Sequence, residues 1–89
     1  MPILHRMNLT SVIHLKRITD LKPDESGRIE RVDCSDAMVA LMELGCVVGE
    51  TLEMRQKAPF GGPVAVSTGG HVFAMRKAQA REVWVSSQD

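Results

Sequence analysis

The sequence predicts a mainly β chain with short helices, closed as a small five-stranded barrel. Three observations carry that prediction. Apolar and polar residues alternate in several short segments, as at Leu52/Met54, Val64/Val66 and Val83/Val85. Glycine and proline punctuate the intervals, at Gly45, Gly49, Pro59, Gly61, Gly62, Pro63, Gly69 and Gly70. One stretch between them, Ser35 to Leu44, carries a helical stripe instead. Strands with one helix inserted after the first suit closure, because a closed sheet leaves no exposed edge.

Residues 1–12 lack a clear period and are expected to form a mobile tail, with residues 13–89 as the single domain. Val12-Ile13-His14-Leu15 is a candidate for a short strand or packing segment. Ile18 and Leu21 fit one helical turn that Thr19 could cap, broken at Lys22-Pro23-Asp24. Gly27 to Val32 reads as the first strand, with Ile29 inward and Arg28 and Glu30 outward. Ser35 is the expected N-cap of a helix over about Asp36 to Leu44. Met38, Leu41 and Met42 form its predicted core stripe, widened by Ala37 and Leu44.

Gly45 suits a left-handed helix ending that brings Cys46 back onto Leu41. Val48-Gly49 suits a type II turn. Thr51 to Gln56 alternates as a strand, with Leu52 and Met54 inward. Gly69-Gly70 marks a hairpin. A two-residue loop there sets Val66 opposite Phe73 and Val64 opposite Met75. Lys77 to Glu82 is expected to form one or two helical turns, and Val83 to Val85 the closing strand around Trp84.

A chain of 89 residues can bury one small core. Lysine plus arginine and aspartate plus glutamate number 11 each, and aromatics make up 3%. Phosphate contacts need a basic excess and base stacking needs aromatics, so nucleic acid is not expected as a partner. No apolar run approaches the ~20 residues that span a bilayer, and His5, Arg6 and Asn8 interrupt any signal-peptide core. Cytoplasmic location is the expectation. The helix between Cys34 and Cys46 holds them too far apart for a disulfide, so both thiols are expected to be free.

Glu43-Leu44-Gly45, Val48-Gly49 and Lys57-Ala58-Pro59-Phe60-Gly61-Gly62-Pro63 resemble the ferrous-iron transport protein A family, usually written FeoA. The resemblance covers roughly residues 18 to 86. Ile18, Leu21, Gly27 and Ile29 resemble the family's opening, with Asp24 in place of a glycine. Val48 stands where the family favours proline, and Gly62 where it favours aspartate. The resemblance implies an SH3-like barrel. It also implies a small cytosolic, non-enzymatic accessory protein of bacterial ferrous-iron uptake. Such a protein acts by contact with the large membrane iron transporter that carries a cytosolic G domain. The alternative is a C-terminal-type domain of a diphtheria-toxin-repressor-like regulator, where a similar fold serves metal sensing or binds a proline-rich segment.

No nucleophile with an activating base and no P-loop is present, so catalytic residues are not expected. His5, His14 and His71 are scattered and no ligand cluster is spaced for a metal. His71, Cys34 and Cys46 are the weak metal candidates, and no cofactor is expected. The candidate partner-binding residues are Leu44, Lys57, Ala58, Pro59, Phe60, Gly61 and Gly62, whereas Gly27, Gly45, Gly49, Gly69 and Gly70 are read as structural. Phe60, held between a proline and a glycine, would make a preordered apolar anchor. Folded back over Leu44, the same ring would instead be a lid.

Overall fold

The computed structural model describes residues 15–87. The expected tail, His5, and Val12-Ile13-His14 of the strand candidate lie outside the described residues, whereas the candidate's last residue, Leu15, opens the first strand.

The strands are β1 (Leu15–Arg17), β2 (Ser26–Val32), β3 (Thr51–Lys57), β4 (Val64–Thr68), β5 (His71–Met75) and β6 (Val83–Ser87). Helix α1 covers Ser35–Glu43 and the single turn α2 covers Lys77–Ala80. Short 3-10 turns occupy Ile18–Asp20 and Pro59–Gly61. All neighbouring strands pair antiparallel, in the order β1-β6-β2-β3-β4-β5.

The expected architecture needs two corrections. Among the described residues the sheet has 6 strands, and it is open rather than closed, with β1 and β5 at its edges. The added strand is β1, whose Arg17 pairs with Trp84 and Leu15 with Ser86. Bulges interrupt β2 between Ile29 and Arg31 and β3 between Met54 and Gln56. An extra residue in one strand raises local twist, so the central strands bend around the core.

The hairpin register is as predicted, with Val64 opposite Met75 and Val66 opposite Phe73. Gly69 and Gly70 both have positive φ, 57° and 86°, which a two-residue hairpin of type I′ requires. Gly27 serves differently, because a Cβ there would stand 2.6 Å from Val85 Cγ2. Only a bare backbone lets β2 lie against the Val85 side chain.

The core joins Ile29, Leu52, Met54, Val64, Val66, Met75, Val83 and Val85 of the sheet to Ile18, Leu21, Ala37, Leu41, Cys46 and Ala80. The helix stripe is narrower than the expected one. Ala37 and Leu41 point inward, Met38 is half-buried, and Met42 and Leu44 are exposed. A nine-residue helix touching the sheet along one line buries a narrow face, so only one i,i+4 pair reaches the core. Its N-cap position is Cys34, not Ser35, and no side chain caps it. Its end is as predicted: Cys46 N–H donates to Leu41 O at 2.9 Å and Gly45 N–H to Met42 O at 3.0 Å. Both cysteines are free.

Candidate functional site

Strand β3 ends at Lys57, and the chain returns to β4 through Ala58 to Pro63. The Ala58 N–H donates to Pro63 O at 3.0 Å and closes the loop at its neck. Pro59 opens the 3-10 turn, and Gly62 N–H donates to Pro59 O at 3.2 Å. A Cβ on Gly62 would stand 2.8 Å from Ala58 Cβ, so an aspartate at 62 would not fit without a shift.

Phe60 is fully exposed, at 104% of its reference area, and its backbone lies in the left-handed region at φ 60°, ψ 34°. That conformation costs an L-residue about 1–2 kcal/mol. The ring does not cover Leu44. Leu44 instead lies on an apolar rim with Val47 and Val48 after α1, each about half exposed. Of the seven candidate contact residues, Lys57, Ala58, Gly61 and Gly62 line one hollow of about 180 Å³. Thr19, Val64 and Lys77 complete its wall. Lys57 Nζ donates to Thr19 O at 2.9 Å, which ties the loop to the Ile18–Asp20 turn.

The weak metal candidates are not brought together. Cys34 precedes α1 and Cys46 follows it, a separation of roughly 13 Å along the axis. His71 opens β5 and is exposed. Among the described residues no three His, Cys, Asp or Glu side chains gather as a metal site. Burial pushes the Cys46 thiol above its usual pKa, which disfavours the thiolate that binds metals and attacks electrophiles.

A second surface feature was absent from the sequence reading. Arg17 and Arg31 lie over the Trp84 ring, 4.9 and 5.1 Å from its centroid. The indole N–H donates to Asp33 Oδ2 at 2.8 Å, and Arg31 donates to both Asp33 oxygens. The Arg31 hydrogen bond holds the Asp33 carboxyl below its usual pKa; desolvation opposes it, and the weaker Trp84 hydrogen bond adds to the lowering. These residues are scattered in sequence and meet because β1 and β2 both pair with β6.

The described residues form a small antiparallel sheet with an inserted helix, an SH3-like fold. Among the described residues no helix is long and apolar enough to cross a membrane. The chain belongs to the FeoA domain family, which matches residues 16–87. A crystal structure of an iron uptake regulatory protein, FeoA, is 26% identical with a TM-score of 0.72, covering 82% of this chain and 96% of that one. The solution structure of FeoA from Chlorobium tepidum is 27% identical with a TM-score of 0.75, covering 83% of this chain and 71% of that one. A manganese-dependent transcriptional repressor shares the fold at 15% identity and a TM-score of 0.73, covering 82% of this chain and 41% of that one. Curated protein sequences gave no match.

Proposed function

We propose that this chain is a cytosolic accessory protein of ferrous-iron uptake that works by contact and catalyses no reaction itself. Its partner in this reading is the membrane iron transporter with its cytosolic G domain, and Phe60 is the anchor. Family membership supports the system. The full exposure of Phe60 on a braced, strained loop is the observation that supports the contact. An apolar ring held out by a preordered loop loses little entropy on docking.

The test is calorimetric binding of the purified chain to the transporter's cytosolic G domain. Phe60→Ala should weaken that binding by about 30-fold or more, the level of a hot spot. Unchanged affinity would remove Phe60 as the anchor, and no binding by the unaltered chain would remove the partner.

The second reading, a metal-regulator domain, is supported by the fold shared with the manganese-dependent repressor. It requires an ion or a proline-rich segment to bind this chain. Titration with manganese or with a proline-rich peptide tests it, and absence of both responses would discard it.

A further inference from the structure

Lys57 and Lys77 face one hollow, and neither forms an ion pair among the described residues. A Cβ built on Gly61 would stand 3.6 Å from Lys77 Nζ, so this ammonium lies over the loop backbone immediately after Phe60. The hollow has no acidic wall. Two carboxylates, one next to Thr19 in sequence and one held by the residue before Lys77, have partners elsewhere. Asp20 accepts from the Arg17 backbone N–H, and Asp36 accepts from Arg76 and Gln79. The chain as a whole is neutral, with 11 basic and 11 acidic residues, so this uncompensated pair is a local feature.

We infer that the Lys57/Lys77 hollow receives a carboxylate from an acidic segment of a polypeptide partner, seated beside the apolar contact made by Phe60. The identity of that partner rests on the function proposed above, but the chemistry of the hollow does not. Two ammoniums with one backbone contact between them offer spare donors. Lys57 uses one on Thr19 O, and an ammonium has three. The Thr19 backbone contact also fixes the Lys57 head toward the cleft, which lowers the entropy lost on binding. Complementary charge at the rim of an apolar anchor sets orientation and speeds encounter more than it adds affinity.

The experiment titrates isotopically labelled protein with a hexaglutamate peptide at low salt and follows amide resonances. The expected result is a saturable shift of Thr19, Ala58, Gly61, Gly62 and Lys77. Lys77→Gln and Lys57→Gln should each weaken it by about two- to five-fold, and ~0.15 M salt should do likewise. The Lys77 side chain makes no hydrogen bond among the described residues, so the fold of Lys77→Gln should hold even if Lys57→Gln loosens the Thr19 tie. Shifts confined to other surfaces, or shifts that survive both substitutions, would overturn the inference. Equal response to inorganic phosphate would also overturn it, since the hollow would then be a simple anion site. Because the probe is a free peptide, failure here is distinct from failure of the transporter reading.

Discussion

Replacing Phe60 by glycine removes the ring and relieves the backbone in one step, so its effects on folding and on binding should have opposite signs. The ring is fully exposed, so its loss empties no part of the core. A buried phenylalanine would cost about 3–5 kcal/mol on truncation, and that term is absent here. At φ 60° the left-handed backbone costs phenylalanine about 1–2 kcal/mol, which glycine does not incur. Glycine also loosens the unfolded chain, which costs about 0.5–1 kcal/mol. The difference is a net gain of about 0–1.5 kcal/mol. For a domain of this size, each 1 kcal/mol gained raises the melting midpoint by roughly 4–8 °C. Phe60→Ala keeps the backbone strain and should leave stability within about 0.5 kcal/mol. Denaturant titration of both variants, beside calorimetric binding to the G domain, reads both quantities. Equal or higher stability with binding about 30-fold weaker is the expected pair of results. A loss above about 2 kcal/mol for Phe60→Gly would show the ring packed in solution and would refute the reasoning.

Four further outcomes follow from the fold. Val48→Pro should stabilise by about 0.4–1 kcal/mol, since Glu50 N–H donates to Val47 O at 3.0 Å and Gly49 has φ 101°; a clear loss in denaturant titration would reject that turn. Gly27→Ala should cost about 1–3 kcal/mol, because the new methyl meets Val85 at 2.6 Å; thermal melting checks this. The melting midpoint should be unchanged by EDTA, as the core closes with apolar side chains alone; a cooperative loss of structure on chelation would bring back Cys34, Cys46 and His71. Glu25 has its pKa lowered, first by the hydrogen bond from Lys16 Nζ at 2.8 Å and then by the Lys22 backbone N–H. Its contribution is present above the unfolded value near 4.5 and is lost as pH falls through the lower folded value. Glu25→Gln should therefore flatten the acid limb of a stability–pH curve.

The parts of the fold that were legible in the sequence are those fixed within a few residues. Gly69-Gly70 sets the β4–β5 register, and Gly45 sets the helix ending. Pro23-Asp24 belongs with them. Glu25 N–H donates to Lys22 O at 2.9 Å, and Asp24 takes φ 72° where the family has a glycine. Aspartate tolerates that conformation better than most residues. What escaped was set at a distance. Strand β1 has three residues, Leu15-Lys16-Arg17, too few to show alternation, and it exists because β6 offers it an edge. The helix stripe was drawn too wide because Ala37/Leu41 and Met38/Leu41/Met42 both satisfy a helical period. Only the docking line against the sheet chooses between them.

At Phe60 the sequence left an anchor and a lid both open, for a different reason. Burial would be the default for a large apolar ring, and a left-handed backbone is avoided by any side chain with a Cβ. At this one residue both local rules are broken, with no folding gain visible in return. The exposed rim at Met42, Leu44, Val47 and Val48 breaks only the first rule, and partial exposure of apolar residues is ordinary. Conflict between local preference and observed structure concentrates where a surface serves something other than folding. That contrast is why the loop, rather than the larger apolar rim, carries the proposed contact.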